Sequence, residues 1–254
     1  MTLLDILPSI GHPAPGRMDP AISPATTHSD GSAAPSCEID ETGFRRRARR
    51  YRKALRGIRL AYAGKSPLTT AVARWAREEG LGVDVRSTRE LAAALAGGVD
   101  PARITMRGNA RSPQELGDAV RAGVGRIVLD SAIEIAYLAG LGRQRQRVLV
   151  RVNIGDHAAD AVKRVLAHPT LELVGLHCPI GSEGSDPACY GEAIHRMIAA
   201  MADVRSGHGV ILTEVDIAAG QLNPDELAAV IEDALDEACA AEHFPRPAVV
   251  VDVF

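Results

Sequence analysis

From residue 58 onward the apolar positions recur in a fixed rhythm. A short run rich in Val, Ile and Leu is followed by a longer stretch whose apolar residues return every three or four positions. The runs at 58–63, 82–85, 103–107, 126–129, 147–153, 171–178, 213–217 and 248–253 are apolar at nearly every position, as strands are when both faces are covered. The stretches 67–79, 88–97, 112–122, 131–140, 158–167, 187–206 and 224–240 carry the helical period, and a further helix opens near Asp40 or Thr42 and runs to about Ala54. Helix-start signals support several of these: Ser87, Ser112 before Pro113, and Asn223 before Pro224. Alternating strands and helices predict a parallel sheet, and the count of eight strands favours closure into an α/β (β/α)8 TIM-type barrel over an open, doubly wound sheet.

Composition changes this picture at one end. Residues 1–36 are rich in Pro, Ser, Ala and Gly and cannot bury enough apolar surface to offset their ordering entropy, so a disordered leader precedes a barrel domain over 37–254. The leader has neither the basic stretch nor the long apolar run of a signal or membrane span. A formal net charge of -3 gives no general attraction to nucleic acid or to an anionic membrane. The one basic run, Arg45, Arg46, Arg47, Arg49, Arg50, Arg52 and Lys53, spreads around a helix with only Tyr51 interleaved, which fits a solvated face better than a base-stacking surface. Cys37, Cys178, Cys189 and Cys239 lie too far apart in sequence for a zinc site or a secreted disulfide framework, so no metal and a cytoplasmic location are expected.

In a barrel of this kind the loops after the strands build the site. Polar residues gather there: Lys65, Asp84, Gly108 with Asn109, Asp130 with Ser131, Arg151 with Asn153, His177 with Ser182, Asp216 with Gly220, and Asp252. Such a ring suits a ligand with several polar groups. Lys65, among apolar neighbours at a strand end, is expected to lose hydration of its ammonium and to become a nucleophile for a carbonyl. The plain alternative is a surface lysine that snorkels into water.

The segment Ala61-Tyr62-Ala63-Gly64-Lys65 resembles the Tyr-Ala-x-Lys signature of the fold-type III, pyridoxal-phosphate-dependent decarboxylases of diaminopimelate, ornithine and arginine. Further blocks follow in that family's order: Gly82-Val83-Asp84-Val85 with Ser87 and Arg89-Glu90-Leu91, Arg107-Gly108-Asn109, Val128-Leu129-Asp130-Ser131 with Glu134, Arg151, the stretch from Val174 to Ser182, and Val215-Asp216. The resemblance implies an alanine racemase-like barrel that holds pyridoxal 5'-phosphate as a Schiff base on Lys65. Asp84, Arg151, His177, Ser182, Gly220 and Asp252 would contact the cofactor, and a basic or diamino acid would be decarboxylated. The sequence also departs from the family. Pro179 stands where a histidine stacks on the cofactor ring, Ala218-Ala219-Gly220 replaces a phosphate-binding triple glycine, and Asp252 replaces the glutamate that faces the ring nitrogen. The family's C-terminal β-domain, which contributes a catalytic cysteine across a dimer interface, is lacking. Two other readings stay open: a non-catalytic truncated paralogue acting as a binding or partner subunit, and a single-domain pyridoxal-phosphate-binding protein. A homodimer, or a separate β-domain partner, is the implied association. An exposed barrel bottom and an eighth strand without its following helix are expected to leave apolar patches.

Overall fold

The computed structural model describes residues 40–142, 145–152, 159–180, 186–218 and 222–253. The expected leader, Asn153, Ser182 and Gly220 lie outside the described residues. Helix α1 (Glu41–Ala54) leads into β1 (Arg59–Tyr62), α2 (Thr70–Glu78), β2 (Gly82–Val85), α3 (Thr88–Ala96) and β3 (Ile104–Met106). Next come α4 (Pro113–Ala122), β4 (Arg126–Leu129), α5 (Ala132–Leu141), β5 (Gln146–Arg151) and α6 (Ala159–Leu166). The chain continues through β6 (Leu171–Pro179), α7 (Pro187–His208), β7 (Glu214–Ala218), α8 (Pro224–Ala241) and β8 (Ala248–Val253). The eight strands are parallel and close into a barrel in chain order, β1 pairing with both β2 and β8.

Local chemistry explains where the elements begin. Asp40 caps α1 through the backbone N–H groups of Thr42 and Gly43, and Ser87 caps α3. Ser112 and Glu115 form a reciprocal capping box at α4, with Pro113 fixing the first turn, and Asn223 caps α8 ahead of Pro224. The expected strand at 103–107 starts one residue later, because Asp100 caps a 3-10 turn over Pro101–Arg103 and turns that segment away from the sheet.

Period-two alternation sorts each strand between two environments. Ile127, Leu129, Val148, Val150, Leu176, Val215 and Val251 point outward and belong to the main core shared with the helices. Val128, Leu149 and Val174 point inward and form a small cluster of their own. A fully buried side chain of this kind contributes about 1.5–3 kcal/mol, so the layer between strands and helices carries most of the hydrophobic stabilisation. The barrel interior is apolar only at its waist.

The eighth strand is not bare, contrary to the expectation from its missing following helix. Helix α1 contacts both α8 and α2 and so completes the helical ring. Val249, Val251 and Val253 are consequently buried, and Phe44 of α1 packs against Tyr62 and Trp75 with ring centroids 5.5 and 5.9 Å away. Part of the basic run serves this docking: Arg45 reaches Glu78 of α2 at 2.6 Å and its C-cap Glu79 at 3.1 Å, and Arg49 reaches Glu79 at 2.8 Å.

The register between β5 and β6 shifts by one residue, Val148 facing Leu173 and Leu149 facing Gly175. Gly175 then pairs with Glu214 of β7, and a Cβ built on it would lie 1.9 Å from the Glu214 carbonyl oxygen. Only glycine permits that approach. No described helix is long and apolar enough to cross a membrane.

Candidate active site

The loop after β1 is held from both sides. A Cβ on Gly64 would meet the Tyr62 hydroxyl at 2.0 Å, so the small residue lets the loop fold back over the tyrosine. Arg86 donates to the Gly64 carbonyl at 2.9 Å, and the buried Glu90 carboxylate accepts from the backbone N–H of Leu68 at 3.3 Å and of Arg86 at 2.7 Å. Lys65 lies between these anchors and is exposed. The expectation that apolar neighbours desolvate its ammonium is therefore wrong. Its loop is fixed, while its amine stands in water at the C-terminal mouth.

The mouth is organised around a residue that the sequence presented only as part of a motif. Arg107, directly after β3, is buried and projects into the barrel among three aspartates delivered by β2, β7 and β8. Its Nη2 donates to Asp216 Oδ1 and to Asp252 Oδ1, each at 2.7 Å, and its Nη1 donates to Asp252 Oδ2. Its Nε lies 2.8 Å from Asp84 Oδ2, an ion-pair contact whose alignment does not make a hydrogen bond, and Asp84 Oδ1 has no hydrogen-bond partner. His177, also buried, places Nδ1 3.2 Å from Asp216 Oδ1. An ionised carboxylate can only accept, so Nδ1 carries the hydrogen and Nε2 keeps a free lone pair.

Three carboxylates about one guanidinium cannot all be charged cheaply in a buried space. Burial pushes Asp84 up to about 6; Arg107 opposes the rise and Asp216 adds to it. Asp252 is raised further, by burial first and by Asp84 and Asp216 across from it, against the pull of Arg107. Burial also works on Asp216, but Arg107 and His177 outweigh it and keep that group below its ordinary range. Burial and the positive field of Arg107 depress His177 to about 4, against its hydrogen bond to Asp216. At neutral pH the cluster therefore holds an ionised Asp216 and a neutral His177, while Asp84 and Asp252 bind protons more tightly than ordinary carboxyls.

The remaining sequence candidates are placed around this centre. Arg151 ends β5 with its Nε 3.9 Å from Asp130 Oδ2, beyond hydrogen-bond reach, and that buried Nε has no partner. Glu134 and Arg111 are structural: Arg111 donates to the Glu134 carboxylate at 3.0 Å and to the Met106 carbonyl at 3.1 Å, tying the loop after β3 to the start of α5. Pro179 and Ala218 face each other in the register of β6 and β7. Among the described residues no His, Cys, Asp and Glu group is arranged to hold a metal ion. The sequence reading quoted Arg107 only within a motif and left Asp216 in the ring without a role. A signal for both was available, since Arg107 directly follows a short strand with no charged residue and Asp216 interrupts the apolar residues in the middle of one.

Comparison with known proteins bears on these observations. The family described as pyridoxal-dependent decarboxylase, pyridoxal binding domain, matches residues 41–164. A diaminopimelate decarboxylase of Actinosynnema pretiosum subsp. auranticum is 31% identical over 302 aligned positions, covering 99% of this chain and 68% of that protein. The chain belongs to the pyridoxal-dependent decarboxylase family. A diaminopimelate decarboxylase of Mycobacterium leprae is 37% identical, with 84% of this chain matched to 54% of that protein. The chain thus spans between about half and two thirds of the length of these relatives. Solved structures of a diaminopimelate decarboxylase from M. jannaschii (TM-score 0.77, 19% identity) and of a lysine/ornithine decarboxylase complexed with putrescine from Vibrio vulnificus (TM-score 0.73, 24% identity) share the fold. Each covers 84% of this chain, which in turn covers 59% and 61% of theirs.

The pyridoxal-dependent decarboxylase family's group can be tested against the mouth itself. Pyridoxal phosphate needs an amine, an acceptor for its ring N–H and donors for its phosphate. The mouth offers the exposed amine of Lys65, buried acceptors without a hydrogen-bond partner at Asp84 Oδ1 and Asp216 Oδ2, and a donor without one at Arg151 Nε. Unpaired polar atoms inside a protein are rare and costly, and here both kinds occur in one place. The residues fit.

Proposed function

We propose that this chain is the cofactor-binding barrel of a pyridoxal-phosphate-dependent decarboxylase acting on a basic or diamino acid, as the name of its diaminopimelate decarboxylase relatives suggests. The observation that carries the reading is the set of partnerless buried acceptors at the same mouth as Lys65. Lys65 would hold the cofactor through its amine, Ser182 and Gly220 its phosphate, and Arg151 a carboxylate or phosphate oxygen. Asp84 and Asp252 would face the ring nitrogen, and His177 would offer Nε2 as a neutral acceptor. When bound, the cofactor supplies an electron sink for the charge left on carbon when carbon dioxide departs. A cytoplasmic location and a homodimer, or a separately encoded β-domain partner, complete the proposal.

Mixing the chain with pyridoxal phosphate is expected to produce an absorbance band in the near-ultraviolet to visible range that Lys65→Ala abolishes. An unchanged band in that variant rejects the role of Lys65. Carbon dioxide release from meso-diaminopimelate, ornithine and arginine, with and without a β-domain protein, then tests the reaction.

One observation favours a second reading, cofactor binding without decarboxylation. Both oxygens of Asp252 are bonded by Arg107, so the carboxylate is not free to receive a ring N–H. The band without carbon dioxide release from any substrate is the outcome that selects it.

A further inference from the structure

The opposite end of the barrel carries a cavity that the proposed chemistry does not use. It measures about 610 Å³, opens at the N-terminal ends of the strands, and reaches inward to Ala61, Thr105 and Val250. Six arginines line it: Arg52, Arg56, Arg59, Arg103, Arg126 and Arg147. No acidic and no aromatic side chain is among its lining residues. Among the described residues, Glu214 at the start of β7 is the one carboxylate bonded to the group, receiving Arg59 at 3.0 Å, Arg147 at 2.9 Å, and Arg126 through both oxygens.

Arg126 alone satisfies the Glu214 carboxylate bidentately, and Arg103 donates only to the Gly80 carbonyl. Arg52 and Arg56 are exposed and make no hydrogen bond or ion pair with any described residue. The nearby acids Glu78 and Glu79 are taken by Arg45 and Arg49 on the other side of α1. The cavity thus holds an excess of five positive charges, in a chain whose net charge is -3. A concave wall of one sign concentrates the field inside it, and guanidinium forks match the paired oxygens of phosphate. The volume lies within the range of small-molecule sites.

We infer that the floor of the barrel binds a small polyvalent phosphate anion, carrying two or more phosphoryl groups, gripped by Arg52, Arg56, Arg59, Arg103 and Arg147 around the Arg126–Glu214 pair. Recognition is of the phosphate chain. With no aromatic in the lining, the cavity has nothing on which a base would stack.

Calorimetric titration of the whole chain at low ionic strength, with inorganic tripolyphosphate and separately with ATP, tests this. A single site is expected for tripolyphosphate, weakened steeply by added salt and unaffected by excess pyridoxal phosphate, which addresses the other end of the barrel. Affinity for ATP equal to or below that for tripolyphosphate supports a site for the phosphate chain alone, and markedly tighter ATP binding contradicts it. The double substitution Arg52→Ser and Arg56→Ser removes no bond of the fold and is expected to weaken binding about tenfold or more. Arg196→Ser, on the outer face of α7, is expected to change nothing. Absence of binding, displacement by pyridoxal phosphate, or unchanged affinity in the double variant overturns the inference.

Discussion

The two ends of the barrel are inverses of each other. At the mouth one arginine is surrounded by three aspartates, and at the floor one glutamate is surrounded by three arginines with three more beside them. Between them the interior narrows to Val128, Leu149 and Val174, where many barrels stack apolar layers throughout. The difference lies in how each end can relieve its surplus charge. Aspartates can take up protons, and the mouth raises the proton affinity of Asp84 and Asp252. Arginines cannot, so the floor can balance its excess only by exposure to water or by a counter-anion. The same inversion of charge therefore yields a proton-holding site at one end and an anion-seeking site at the other.

The largest expected effect comes from removing the central ion at the mouth. Arg107→Met leaves three buried carboxyls without a cation and is expected to cost about 3–5 kcal/mol at neutral pH. Urea denaturation should show this loss shrinking as the pH drops and the aspartates protonate. Glu214→Gln at the floor keeps an acceptor for Arg126 but removes its charge, and a loss of about 2–3 kcal/mol is expected. Millimolar tripolyphosphate should restore part of the melting temperature of that variant and none of that of Arg107→Met. Equal rescue of both would erase the distinction between the ends.

A third effect concerns pH. The native His177 stays neutral down to about 4, whereas an unfolded histidine binds its proton near 6.5, so this group makes stability fall as the pH falls through that window. Native Asp84 keeps its proton up to about 6 while the unfolded group loses it near 3.8, so its contribution falls as the pH rises. The two slopes oppose each other between about 4 and 6. Asp84→Asn should expose the histidine slope, with stability rising by about 1 kcal/mol per pH unit over that range. His177→Asn should give a slope of the opposite sign. Denaturant midpoints measured at several pH values decide this, and parallel slopes in the two variants would contradict the opposite shifts of Asp84 and His177. The smallest effect belongs to Lys65→Ala, whose exposed side chain should change stability by less than about 0.5 kcal/mol.

Much of the fold was legible because each strand is a short apolar run and the helix starts carry their own chemistry, as at Ser87, Ser112 and Asn223. Boundaries slipped where a local hydrogen bond competed with the sheet, as Asp100 does ahead of β3. The ring of polar strand ends was visible too, but not its pairing. Arg107 meets Asp252 across 145 residues of chain, a contact set by barrel closure and strand stagger, which alternation of residue types does not encode. Lys65 was misjudged for the opposite reason: its neighbours in sequence are apolar, but the loop pinned by Arg86 and Glu90 turns its side chain to water. The floor went unrecognised because its arginines are spread over 52–147, and only the common starting level of the strands gathers them.

Gly175 extends this lesson to tolerance of mutation. It touches no ligand and bears no charge, yet the absence of a side chain there is what allows β7 to settle against β6, bringing its leading carboxylate within reach of guanidiniums from three other strands. Randomising that codon should return glycine almost alone, and an observer scoring variants by activity would mistake a spacer for a reagent.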